Sequence, residues 1–390
     1  MSTPLDELPI IDVDTHFTEP PDLWTSRAPA VLADRAPRVT RNDRGQEQWI
    51  ADDGLVLGPV GYCVIRPDGS KENGQVTLDT FAEVHPGASE PKARLGVMDS
   101  FGITMQILYP NVLGFTGSFV MNIRDEALRN FCITAYNDAA ADVQRAGDGR
   151  LFPQAVLPIW DVEAAVDEIE RAHDHLGLTG IVITDSPETW GLPVLSDAHW
   201  DPVWATAQER SLPVNFHIGG GGPMGTVWPG PSGGASIAAM STLADMGNMR
   251  CLTNLIFSGL LDRFPSLKFV SVESGVGWIP FLIECAEYQM DENGVTGLDL
   301  RPREYFQRQI YASYWFESEI GSALAKLGED NVMFETDFPH PTCLYPAVRE
   351  KVHETLGGLA PRVQKKILYE TAARVYNLPL PRGVGQDASV

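Results

Sequence analysis

The chain has 390 residues, 44% of them hydrophobic and 21% charged, which is enough apolar material for a sizeable core and excludes disorder as the default state. Its formal net charge of -23 repels nucleic acid and anionic membrane surfaces, and no clustered basic patch offsets that field. Five scattered cysteines (Cys63, Cys132, Cys251, Cys285 and Cys343) form no CxxC pair, which argues against a thiolate zinc site and for a reducing compartment. With no basic-then-apolar leader in MSTPLDELPIIDVDTHF and no run of about 18 apolar residues, a cytoplasmic location with neither membrane nor nucleic-acid partner is expected.

Short runs rich in Val, Ile and Phe alternate with amphipathic stretches, the pattern of repeated βα units on a parallel sheet. In chain order they are Ile10 to His16, Thr104 to Pro110, Leu151 to Pro158, Gly180 to Asp185, Pro213 to His217, Leu267 to Gly275, Gln309 to Trp315 and Val332 to Pro339. Most lack polar alternation, as strands covered on both faces do. Helices are expected over Asp125 to Arg145 and over Asp161 to Leu176, with Asp161 as N-cap and Gly177 as C-cap. Right-handed crossovers would close these eight units into one (β/α)8 TIM barrel spanning residues 1–390.

Three stretches break the rhythm. Trp24 to Glu90 is too long for a bare loop and reads as an insertion after strand 1, with a hairpin or small subdomain in GLVLGPVGYCVIRPDG. Gly219 to Ala235 is rich in Gly and Pro and reads as a mobile loop over the barrel mouth. Residues 379–390, PLPRGVGQDASV, read as a flexible tail.

A barrel carries its active site at the C-terminal ends of its strands, so the polar residues that end the apolar runs are the candidates. Strand 1 ends in Asp14 and His16, strand 5 in His217, strand 6 in Glu273, and strand 8 in Asp337 followed by His340. Asp14 and His16 are two apart on an extended strand, so both side chains face the barrel mouth. A lone DxH is weak, but His217, Glu273 and Asp337 stand at corresponding places on three other strands. The donors are nitrogen and oxygen only, which favours a divalent Zn, Mn or Fe ion, with room for two. Water on such an ion is acidified towards neutrality, and Asp337 could accept its proton.

Glu273 allows three readings: a ligand of a second ion with His340, a general base, or a structural carboxylate. His340 is either a ligand and catalytic group or the residue that orients Asp337. Tyr109, Trp228 and Trp315 could line the substrate pocket, and rim packing explains each equally well. Two motifs are decoys. GPSGG at Gly230 to Gly234 resembles a nucleophile elbow, but Pro229 and Pro231 bar the strand it needs. GGGPMG at Gly220 to Gly225 sits in the fifth βα unit and is interrupted by Pro223, so no dinucleotide site is expected. His173 and His175 lie two apart on a helix, on different faces, and His85, His199 and His353 have no partner signal.

The motifs IIDVDTHFTEP, PVNFHIG, LDRFPSLKFVSVESGVGWIPF, TDFPHP and KKILYETAARVYNL, in this order, resemble the amidohydrolase superfamily. The resemblance is to the branch that includes aminocarboxymuconate semialdehyde, resorcylate and carboxyvanillate decarboxylases. It implies a metal-dependent (β/α)8 barrel in which Asp14, His16, His217 and Asp337 match the ligands, and it suggests a dimer. The chain departs from the decarboxylases after strand 6, where they carry a catalytic histidine in HxGG and this sequence reads ESGVG.

The expected function is that of a metal-dependent hydrolase or non-oxidative decarboxylase acting on a small carboxylate- or carbonyl-bearing molecule through a metal-activated water. A dinuclear Fe or Fe/Mn oxygenase, resembling some members of the branch, is the first alternative. A non-catalytic metal-binding subunit, paired with a paralogous chain in a hetero-oligomer, is the second; otherwise a homodimer is expected.

Overall fold

A computed structural model describes residues 4–60, 62–219 and 233–380. The chain enters the barrel through β1 (Ile10–His16), all seven residues of which are buried. A small antiparallel sheet follows, of β2 (Arg38–Arg41), β3 (Glu47–Ala51) and β4 (Leu55–Pro59) in that order. The remaining strands are β5 (Ile103–Tyr109), β6 (Leu151–Pro153), β7 (Ala155–Val156), β8 (Ile181–Ile183), β9 (Val214–His217), β10 (Phe269–Val272), β11 (Ile310–Tyr314) and β12 (Val332–Phe334). β1, β5 and β6 pair in parallel, and so do β7 through β12 in chain order.

Two seams join these parallel sheets. β6 and β7 are one run bent at Gln154, whose N–H donates to Leu108 O at 2.9 Å, while Ala155 N–H donates to Gly180 O at 3.0 Å. At the other seam Asp337 N–H donates to Asp14 O at 2.9 Å and His16 N–H to Phe338 O at 2.8 Å. Eight strand positions therefore follow one another around a (β/α)8 barrel, as the apolar runs lead one to expect. The strand residues are almost all buried because helices cover one face and the barrel interior the other.

The helices that matter for the site are α1 (Pro91–Phe101), α2 (Glu126–Ala146), α3 (Val162–Glu170), α4 (Asp201–Glu209), α5 (Gly234–Asp245) and α6 (Asn248–Phe257). Asp125 caps α2 by accepting from Leu128 N–H, and Asp161 caps α3 by accepting from Glu163 and Ala164 N–H. The chain runs on helically past α3 to His175, and Gly177, at φ 73°, ends it in the left-handed conformation that glycine adopts without strain.

The stretch read as a hairpin or small subdomain supplies one strand of the β2-β3-β4 sheet. Only Leu55–Pro59 of the GLVLGPVGYCVIRPDG stretch is a strand, and it pairs backwards with Glu47–Ala51. The turn falls earlier, at Asp52 (φ 51°) and Gly54 (φ 93°), because turn residues cluster there, and the chain then leaves the sheet. Cys63, Val64, Ile65, Leu78, Val84 and Ala88 pack with Phe338 and Cys343 in a second small core. The insertion thus grips the loop after β12. Most of the expected mouth loop (220–232) and of the expected tail (381–390) lies outside the described residues, as do both decoy motifs apart from the last glycines of GPSGG.

Candidate metal centre and active site

All six ionisable side chains expected at the strand ends converge. Asp14 and His16 come from the end of β1, His217 from the last residue of β9, Glu273 from the residue after β10, and Asp337 and His340 from the loop after β12. His16 Nε2 lies 3.0 Å from His217 Nε2, 3.6 Å from Asp14 Oδ1 and 3.8 Å from Asp337 Oδ1. His217 Nε2 lies 3.5 Å from Asp14 Oδ1 and 3.3 Å from Glu273 Oε2. His340 Nδ1 stands 2.8 Å from Asp337 Oδ1. Glu273 (φ 52°) and Asp337 (φ 58°) both hold the left-handed backbone conformation that non-glycine residues avoid, at a cost of about 1–3 kcal/mol each. The strain turns each carboxylate inward at its strand end.

The imidazoles carry their protons on the far side. His16 Nδ1 is 3.1 Å from Pro110 O, and His217 Nδ1 is 2.9 Å from Ile218 O. A carbonyl only accepts, so each Nδ1 bears the hydrogen and each Nε2 presents a lone pair. Those lone pairs face one another, and neither oxygen of the fully buried Asp14 accepts a hydrogen bond. Burial, then the neighbouring His340 and His217, push His16 well below the usual imidazole range, and burial pushes His217 down to about 4. Burial, then Asp337 and Asp12, push Asp14 well up. Neutral rings and bare carboxylate oxygens aimed at one point fit a cation. Two overlapping sets, Asp14, His16, His217, Glu273 and His16, Glu273, Asp337, His340, each hold their donor atoms within 4.8 Å of one another.

Sequence reasoning passed over the groups behind this cluster. Asp12 accepts from Thr336 N–H (2.9 Å), Thr336 Oγ1 (2.6 Å) and Gln106 Nε2 (3.1 Å), and burial raises it to about 7. Glu335 Oε2 accepts from Glu273 N–H at 3.3 Å, and burial, reinforced by Asp14, raises Glu335 well above the carboxylate range. Both were available from period two, since Asp12 shares a face with Asp14 and Glu335 with Asp337. Four others come from loops or helices and left no signal. Buried Arg94, on α1, donates Nη2 to His16 O and Nε to Gly87 O. Buried Glu19 accepts from Asn111 N–H (2.9 Å) and Val112 N–H (3.1 Å), while Asn111 Oδ1 lies 2.9 Å from His340 Nε2. Thr342 Oγ1 donates to Asp337 Oδ2 at 2.6 Å.

The family model described as Amidohydrolase matches residues 11–378 of the chain. The chain belongs to the amidohydrolase family. This amidohydrolase is 27% identical over 263 residues to a gamma-resorcylate decarboxylase of Polaromonas sp., covering 63% of this chain and 76% of the relative. It shares its fold with an amidohydrolase from Mycobacterium avium subsp. paratuberculosis at a TM-score of 0.77 and 22% identity, covering 95% of this chain and 99% of that one. It also matches a dihydroxybenzoic acid decarboxylase of Polaromonas sp. solved with bound manganese and the inhibitor 2-nitroresorcinol (TM-score 0.61, 18% identity, 95% and 97% covered).

In this amidohydrolase a cavity opens on Glu273 and His340, walled by Phe115, by Tyr62 and Val76 of the insertion, and by Ile237 and Met240 of α5. The Phe115 ring lies 4.9 Å from each of the His16, His217 and His340 rings. Of the expected pocket residues, Tyr109 and Trp315 stand off this wall. Tyr109 packs against His16 and His217, but its hydroxyl donates to Asn215 Oδ1 (3.1 Å) in the barrel interior beside Tyr376, and it is not part of the cavity wall. Trp315 is buried against Phe316, also off the wall, because the chain turns away after β11. Trp228 lies outside the described residues. His173, half-buried at 3.3 Å from Leu178 O, and His85, which caps Gly87 N–H, serve local structure away from the centre. Among the described helices none is long and apolar enough to cross a membrane.

Proposed function

We propose that this amidohydrolase is a metal-dependent enzyme that breaks a bond to the carboxyl or acyl carbon of a small organic acid without an oxidant, with non-oxidative decarboxylation as the first reading. The observation that carries it is the pair of Nε2 atoms held 3.0 Å apart beside the Asp14 carboxylate, whose oxygens accept no hydrogen bond, an arrangement that a cation between them stabilises. The relatives that are decarboxylases, one of them with manganese, support the same reading. Asp14, His16 and His217 would hold the ion, with Glu273, Asp337 and His340 completing one centre or a second.

When bound, a divalent ion supplies a Lewis acid that polarises the substrate's carboxylate. The chain supplies the rest. Apolar walls exclude water from the reacting carbon, and Phe115 keeps the body of the substrate off the imidazoles. Decarboxylation breaks the C–C bond and needs a proton at the carbon left behind. Glu273, His340 and Tyr62 are the titratable groups of the cavity wall, and burial, with Glu19 nearby, holds the Tyr62 phenol protonated. Each of the three can carry a proton to that carbon, Glu273 or His340 only where the ion does not hold it.

Hydrolysis of an ester or thioester is the second reading, favoured by Glu273 in the place where the decarboxylases carry histidine, since a carboxylate there can take a proton from an attacking water. Manganese-loaded protein offered hydroxybenzoates and, separately, aryl esters and thioesters tests both. Carbon dioxide release without oxygen uptake supports the first reading, and acyl cleavage supports the second. Oxygen consumption coupled to turnover would overturn both.

A further inference from the structure

The cavity wall holds an acid and no strong base. Tyr62, Phe115, Ile218, Ile237, Met240 and Ala244 line it together with Glu273 and His340; among the described residues no lysine or arginine does. Two cations belong to the surrounding structure and are committed elsewhere. Arg94 is fully buried with its guanidinium on the carbonyls of His16 and Gly87, and Lys71 donates to Cys343 O at 2.6 Å.

We propose that this cavity takes a monoanion: one carboxylate for the metal centre on an uncharged, hydrocarbon-rich body, aromatic or alicyclic, lying against Phe115, Ile237 and Met240. Substrates with a second anionic group on that body are rejected. The inference rests on the proposed function, in which the ion holds the substrate's carboxylate. The first anionic group is compensated by that ion. A second would be desolvated beside Glu273, in a chain of net charge -23, with no lysine or arginine among the described wall residues to receive it. Discrimination of this kind works by an unpaired charge imposed on the wrong ligand and not by added attraction to the right one. α5 fits the role, since none of its described residues is fully buried and one face of it, with Ile237, Met240 and Ala244, roofs the cavity with apolar groups.

The test is binding to manganese-loaded protein by isothermal titration calorimetry with two isosteres, 4-nitrobenzoate and terephthalate, which differ in charge at the far end of the ring. The expected result is that 4-nitrobenzoate binds at least ~100-fold more tightly, as the cost of burying an unpaired charge implies. Met240→Arg should narrow that gap by roughly 10-fold or more, and Met240→Gln, of similar length and neutral, should leave it unchanged. Equal affinity of the two probes for the wild type, or a gap that Met240→Arg does not narrow, overturns the inference while leaving the proposed function in place. Loaded protein that binds neither probe overturns both the inference and the carboxylate-binding reading on which it rests.

Discussion

His16 Nε2 and His217 Nε2 stand 3.0 Å apart, each with its lone pair towards the other, because each ring spends its one N–H on a backbone carbonyl. In metal-free protein this contact is repulsive, and a divalent ion between the rings converts it into ligation. Adding Mn²⁺ at about 100 times its Kd should therefore stabilise the fold by about 2.7 kcal/mol, the mass-action value for a ligand that binds only the native state. Differential scanning calorimetry of the chelated and reloaded protein measures this, and His217→Ala should abolish the shift. An unchanged melting temperature in the wild type would count against an ion at this position.

Glu273 tests how many groups hold the metal. Its Oε2 sits 3.3 Å from His217 Nε2, and it belongs to both donor sets. Glu273→Gln should lower metal content and cut turnover by ~10²-fold or more, since an amide oxygen is a poor replacement for an anionic ligand. Glu273→Gly should lose metal equally and yet, compared as metal-free protein, melt no earlier than the wild type, because glycine accepts the φ of 52° that glutamate holds at a cost. Full metal occupancy in both variants would restrict Glu273 to proton transfer or structure.

His340 is held from both sides, by Asp337 at Nδ1 and by Asn111 at Nε2. Asn111→Ala should weaken metal binding by about 10- to 100-fold, the usual worth of a group that orients a ligand, while Asn111→Asp, which keeps the acceptor, should restore most of it. Competition against a fluorescent chelator gives both numbers. Equal losses in the two variants would show that Asn111 serves the loop and not the ring.

Buried Glu19 gives a pH signature distinct from the metal. Burial lifts its folded pKa from 4.5 to about 7. The unfolded chain therefore releases this proton first, so the stability tied to Glu19 is full below pH ~4.5 and declines as pH rises to ~7, by up to about 3 kcal/mol. Glu19→Gln keeps an acceptor for Asn111 and Val112 N–H and removes the charge. Its unfolding free energy, minus that of the wild type, should grow between pH 4.5 and 7 and stay level above. A flat difference curve would mean that Glu19 titrates normally.

The barrel was legible in the sequence because parallel strands covered on both faces leave unbroken apolar runs, and the residue that ends each run stands at the barrel mouth. The same rule located Asp14, His16, His217, Glu273 and Asp337. It could also have located Asp12 and Glu335, two residues before recognised carboxylates. Tyr109 and Trp315 also end apolar runs, where pocket lining and rim packing were equally open, and both lie off the cavity wall, since a strand-end position fixes the level of a side chain in the barrel but not the rotamer that decides between mouth and interior. The cavity walls left no periodic signal. Tyr62 comes from an irregular insertion, Phe115 from a loop, and α5 from a helix whose apolar residues are not confined to one face.

The account stands or falls on the ion, and elemental analysis of protein purified without added metal tests it most directly. Wild-type protein should contain at least one Mn, Fe or Zn per chain, and the double variant His16→Ala, His217→Ala should contain almost none while remaining folded by circular dichroism. A folded double variant with wild-type metal content would contradict the account, because the lone pairs of His16 and His217 would then hold nothing.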